Sequence, residues 1–144
     1  MRLKLGLIGA VFAVGAVTAA FAADDVIAAR QDLMKKNGAA AKTVVAMLKG
    51  ETPYDAAAAA AAANTIVEDM TVFPTLFPAG SETGDTKAGP AIWSDPDGFK
   101  AAADAAVTAA KAAAEAAAAG PEAFGAAFQA VGATCGACHQ KYRS

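Results

Sequence analysis

The sequence predicts an all-α fold, an antiparallel four-helix bundle with one long crossover loop, on three observations. Roughly three residues in ten are alanine, the strongest helix former. No stretch alternates β-branched and polar residues with the period of two that a half-buried strand shows. Proline and glycine gather at a few junctions, and the segments between them have the length of bundle helices.

The chain opens with Met1-Arg2-Leu3-Lys4, an apolar run from Leu5 to about Val17, and the small-x-small triplet Ala20-Phe21-Ala22. A basic start, a short apolar stretch and small residues at a cut site make residues 1–22 a secretory signal peptide. The apolar run is shorter than the ~20 residues of a spanning helix, so cleavage is expected rather than a membrane anchor, with export to a bacterial periplasm. Residues 23–144 then form one four-helix-bundle domain, since 122 residues suffice for one core and not for two. Loss of Arg2 and Lys4 leaves ten basic residues against fourteen acidic ones, a formal charge of −4. That balance offers nothing to nucleic acid or to an anionic membrane surface.

The first helix of the mature chain is predicted from about Asp24 to Leu48, with Gly50 as its stop. Its inward stripe reads Ile27, Gln31, Met34, Gly38, Ala41, Val45 and Leu48. A second apolar stripe, Val26, Leu33, Val44 and Met47 with Ala40 between, lies on a face that cannot also point into the same bundle. It predicts a homodimer packed through the first and second helices. Thr52 is expected to cap the second helix, with Pro53 at its first position and Asp55 in its first turn, and this helix runs to about Val72. From Phe73 to Ser94, Pro74, Pro78, Gly80, Gly84, Gly89 and Pro90 forbid a long helix, which makes this the crossover loop. Asp95-Pro96-Asp97 caps and opens the third helix, expected to reach Ala119, and Lys100 with Asp104 marks its wet side. Gly120-Pro121 ends that helix and opens the fourth, which continues to Tyr142.

The fourth helix carries Cys135-Gly136-Ala137-Cys138-His139, both cysteines and the only histidine of the chain within five residues. This is the spacing for covalent haem attachment: two thiolates add to two vinyl groups, and the adjacent imidazole reaches the iron as proximal ligand. One haem c per chain is expected, held by Cys135 and Cys138 with His139 on the iron. A structural zinc site wants four ligands, usually as two separated pairs, and here there is no second pair and no second histidine. A thioredoxin-like pair sits after a strand at the start of a helix, whereas these cysteines lie near the end of one. Phe124, Phe128, Val131, Cys135, Cys138 and Tyr142 follow at spacings of 4, 3, 4, 3 and 4, so both cysteines share the core-facing stripe. His139, one turn after Cys135, projects from nearly the same face. The alanine run from Ala56 to Ala63 and the alanine-rich third helix supply little volume. Either close helix packing or the bulk of the haem makes up the difference.

With these features in place, the mature chain resembles the class II c-type cytochromes, the cytochrome c′ family with its low-spin methionine-ligated relatives. Besides the haem motif, the resemblance rests on Arg30-Gln31 followed by Met34, on Lys49-Gly50-Glu51 with Pro53-Tyr54-Asp55, and on Leu76-Phe77-Pro78 with Gly80. Ile92-Trp93, and Tyr142-Arg143 after the histidine, complete it. It implies a haem lying between the helices with an exposed edge. It also implies that Arg30 and Gln31 contact the haem and its propionates, with Asp85 in the crossover loop as another contact. The plain alternatives are a solvated Arg30 and ordinary loop polarity at Asp85. Arg143 resembles the basic residue beside the proximal face, the alternative being a favourable cation at a helix C-terminus. Met34 aligns with the residue over the distal side of the iron, where methionine serves either as an apolar shield or as an axial ligand.

Two functions follow from that ambiguity. A vacant apolar sixth site binds nitric oxide or carbon monoxide, whereas His/Met ligation closes the site and favours electron transfer with periplasmic or membrane redox partners. A haem enzyme such as a peroxidase needs a distal acid-base residue, and the only histidine is already assigned to the proximal side. The protein is therefore expected not to be an enzyme.

Overall fold

The computed structural model describes residues 17–144, with side chains from residue 23, so the signal-peptide reading of residues 1–22 lies outside the residues described in full. Helix α1 (Val17–Leu48) leads to α2 (Ala56–Val72). The crossover segment holds a 3-10 turn (Phe73–Leu76) and the single-turn α3 (Ala91–Ser94). Then come α4 (Pro96–Ala116), a second 3-10 turn (Ala117–Ala119) and α5 (Pro121–Tyr142). The four long helices form the expected antiparallel bundle. Among the described residues the nearest thing to a sheet is an isolated antiparallel bridge between Ala88 and Arg143.

The junctions show why the helices end where they do. Gly50 has a φ of 72°, and this lets its own N–H donate to the Met47 carbonyl at 3.1 Å while that of Glu51 donates to Ala46 at 2.9 Å. Two otherwise orphaned carbonyls at the end of α1 are thereby satisfied. The predicted cap of the second helix needs correction: Asp55, not Thr52, is the N-cap. Its carboxylate accepts the Ala58 N–H at 2.9 Å, and Pro53 lies in the linker rather than in the first turn. Tyr54 explains the difference, because its hydroxyl donates to the Ala117 carbonyl at 2.8 Å and its ring lies 6.1 Å from Phe124. The linker is thus pinned to the far end of α4 before helix can begin. Asp95 caps α4 as expected, accepting the Gly98 N–H at 3.1 Å with Pro96 in the first turn.

The alanine-rich segments pack closely. Ala59, Ala62 and Ala63 of α2 are buried in one cluster with Ala103, Ala106, Ala110 and Ala113 of α4. Small side chains let these two backbones approach, and Phe124, Phe128 and Val131 close the core from α5. The inward stripe of α1 is as predicted through Ile27, Gln31, Met34 and Ala41, which face the interior, but not farther along. Val44 and Met47 are buried in the core, whereas Val45 and Leu48 are exposed. Val44 and Met47 therefore cannot belong to a partner surface. The inward face turns because α1 borders a cavity from Ile27 to Ala41 and sends Val44 and Met47 into the packed core beyond it.

Candidate functional site

Where α1 stands away from α5, a cavity of about 710 Å³ opens in the bundle. Its lining includes every site residue expected from the sequence: Cys135, Cys138, His139 and Arg143 from the end of α5, Arg30, Gln31 and Met34 from α1, and Asp85 from the crossover loop.

The α5 wall is set by the seam that buries Phe124, Phe128, Val131 and Tyr142. Cys135 and Cys138 follow that seam, are half-buried and are both free thiols. Burial raises both thiol pKa values, and the neighbouring Cys135 raises that of Cys138 further. A reactive redox pair has the opposite shift, a depressed pKa at a helix N-terminus, so these cysteines do not have the environment of a disulfide oxidoreductase. Burial first, and then the charge of Arg143, lowers the pKa of His139. The neutral imidazole that results is the form able to bind a metal.

Arg30 is only 4% exposed, which excludes a solvated helix residue. Its Nε donates to the Leu76 carbonyl at 2.6 Å, one terminal nitrogen donates to the Ser81 carbonyl at 3.0 Å, and the other donates to the Ser81 hydroxyl. The guanidinium carbon lies 4.0 Å from the Phe77 ring centre. Three donors and a cation–π contact fasten the crossover loop to α1, so this side chain both lines the cavity and shapes its wall. Desolvation lowers its pKa, opposed by Glu82. Gln31 donates from Nε2 to the Asp85 carbonyl at 2.7 Å, which brings these two expected residues together at the rim. The loop is also stapled to α5: the Gly89 N–H donates to the Tyr142 carbonyl at 2.8 Å and the Ser144 N–H to the Lys87 carbonyl at 3.0 Å. A Cβ at Gly89 would sit 3.0 Å from the Tyr142 oxygen, so this close approach favours glycine.

Several lining residues had no signal of their own in the sequence. Met70 is buried in α2, and Phe73, Phe77 and Phe99 form an edge-to-face series that continues to Tyr142. The pairs Leu76-Phe77 and Ile92-Trp93 marked this region only through the resemblance. Asn37, three residues beyond Met34, also lines the cavity, and its Oδ1 is buried without a partner. Helical spacing from Met34 was the available clue.

The haem expected from the motif fits this cavity. The volume lies within the ~300–1,000 Å³ of cofactor-sized sites, and the wall is largely aliphatic and aromatic. Thiols and imidazole line one side and a thioether on α1 another, which is a donor set suited to haem iron.

The chain is similar to known proteins in sequence and in fold. A family model described as Cytochrome C′ matches residues 25–143. The chain is 40% identical over 143 residues to a cytochrome c-556 of Agrobacterium fabrum, covering 99% of this chain and 97% of that one. It is similar to the solved structure of cytochrome c′ from Rhodopseudomonas palustris, with a TM-score of 0.77 and 36% identity over 83% of this chain and 96% of the other. An NMR-validated model of oxidised R. palustris cytochrome c556 matches with a TM-score of 0.73 and 30% identity, over 84% of this chain and 97% of that one.

Proposed function

Because the chain belongs to the cytochrome c′ family, we propose that it is a periplasmic electron carrier whose haem is joined to Cys135 and Cys138 and ligated by His139 and Met34. At the coarser level the protein is a c-type cytochrome, an electron carrier with one covalently bound haem c, and it is not an enzyme. When bound, the haem supplies an iron that gains and loses one electron.

The observation that carries the finer reading is the convergence of all eight expected residues on one cavity. Burial raises the pKa of both thiols, and desolvation with the charge of Arg143 lowers that of His139, which favours the neutral imidazole. The aliphatic and aromatic wall would give the haem largely apolar surroundings. Of the two methionines lining the cavity, Met70 is 7% exposed and packed into the core, whereas Met34 is only partly buried. A thioether with free surface on the cavity is the better candidate for the sixth ligand, and such ligation raises the potential. The basic start, apolar run and small residues before Ala23 support periplasmic export, with periplasmic or membrane redox partners.

A second reading, in which Met34 only shields the iron, is favoured by the apolar surroundings that Ile66, Met70 and Phe128 give the cavity. Such a site would take nitric oxide or carbon monoxide. Optical spectra of the oxidised and reduced protein with and without carbon monoxide decide between the two. A low-spin spectrum indifferent to the gas upholds the carrier, and a high-spin spectrum that shifts on its addition overturns Met34 ligation.

We also propose a homodimer through α1 and α2, with the exposed Val45 and Val72 in place of Val44 and Met47 as its apolar contacts. Sedimentation showing only monomer at micromolar concentration would count against it.

A further inference from the structure

Asp95, at the turn between α3 and α4, gathers donors from two helices onto one carboxylate. Its Oδ1 accepts the Gly98 N–H at 3.1 Å and so caps α4. Its Oδ2 accepts the Lys141 ammonium at 2.7 Å and the Tyr142 hydroxyl at 2.9 Å, both from the last turn of α5. A side chain at Gly98 would collide with this carboxylate, so the glycine leaves the space it occupies. Beneath it, Ile92, Phe99 and Tyr142 form a buried cluster on which Cys138 packs, and the Phe99 and Tyr142 rings meet edge-on at 5.2 Å.

Lys141 and Tyr142 come two and three residues after His139, so their tether acts on the turn that carries the histidine and Cys138. The ion pair is a poor source of stability, because the Lys141 and Asp95 side chains are 58% and 42% exposed. Its geometry has a different use. Two bonds from one rigid cap restrain the rotation and slide of the end of α5 relative to α4, and they hold a fixed negative charge beside that turn.

We propose that Asp95 is a positioning residue for the proximal side of the haem, setting the orientation of His139 and the local charge, and hence the reduction potential. This rests on the reading of His139 as iron ligand. A carboxylate held beside the turn that carries His139 favours the oxidised state of an iron bound there, so its loss raises the potential, and loss of Lys141 lowers it.

The test uses the haem-loaded protein. In Asp95→Asn the amide still caps Gly98, so the fold is retained while the charge is lost. The readouts are the potential by spectroelectrochemistry at low ionic strength and the pattern of haem-methyl proton shifts in the oxidised protein, which reports the orientation of the axial imidazole. The expected results are an upward shift of the potential in Asp95→Asn, a downward shift in Lys141→Gln, near-cancellation in the double variant, and an altered methyl pattern in Asp95→Asn. A purely structural role would lower the melting temperature and leave potential and methyl pattern unmoved, and that result overturns the proposal. His139→Ala separates the two readings. If it abolishes the native spectrum, the ligand assignment stands and unchanged Asp95 variants count against this inference alone. If the spectrum survives, the ligand reading fails and this proposal with it.

Discussion

Arg30 and Ser81, 51 positions apart, are bonded twice: the guanidinium donates to the Ser81 carbonyl and to its hydroxyl, and both residues are buried. The Ser81 hydroxyl in turn donates to the Pro78 carbonyl at 2.7 Å, so the bend of the crossover loop closes on itself around the α1 cation.

Arg30→Ala should therefore destabilise the holoprotein by about 2–3 kcal/mol, the cost of leaving buried carbonyls without a charged donor. Arg30→Lys should recover little of this, because an ammonium cannot present three donors in the plane of a fork. Denaturant midpoints measure both. A lysine variant as stable as the wild type would mean that the clamp does not hold the loop.

Cys135→Ala or Cys138→Ala should sharply lower the yield of holoprotein. Wild-type protein should show the mass of the chain from about Ala23 plus one haem that acid acetone does not extract. The haem-free chain should be a loose helical ensemble, because a cavity of about 710 Å³ leaves α1 without a partner across from α5. Cooperative unfolding of a haem-free variant near the holoprotein midpoint would contradict that expectation.

Met34→Ala should convert a low-spin protein into a high-spin one that binds carbon monoxide, since the substitution deletes the sixth ligand. A wild type already high-spin, in which the substitution only speeds gas entry, would assign Met34 to shielding.

Asp69 of α2 is 9% exposed and one of its carboxylate oxygens has no partner. Burial holds its pKa above the ordinary value, opposed by Lys36 and reinforced by Glu68. Because the folded state resists this ionisation more than the unfolded chain does, the contribution of the group is fully present below about 3.8 and is lost as pH rises through the raised pKa. Asp69→Asn should gain stability relative to wild type over that rise, as read from denaturation midpoints against pH. A constant difference between the two curves would show that the carboxyl does not titrate there.

Local chemistry was legible in the sequence, and long-range geometry was not. The haem motif, the seam of α5, the Gly50 stop and the Asp95-Pro96 start depend on neighbours within a turn or two, and each stands where its spacing put it. The cap of α2 was misplaced because Thr52 and Asp55 are both good caps, and the choice between them was made by Tyr54 reaching Ala117, 63 positions away. The face of α1 was misread past Ala41 because periodicity assumes one uniform partner. This helix borders a cavity along one half and a helix along the other. The role of Arg30 in holding the loop was hidden for the same reason, since both its acceptors lie beyond α2.

Trp93 is the single tryptophan of the chain, and its indole meets Phe77 edge-on at 5.8 Å, on the aromatic series that walls the cavity. It lies close to where a strongly absorbing porphyrin would rest, and the Arg30 guanidinium is 5.6 Å from its ring. Its fluorescence should be quenched by energy transfer when the cavity is filled and bright when it is empty, which gives the protein an internal optical reporter of cofactor loading without any added label.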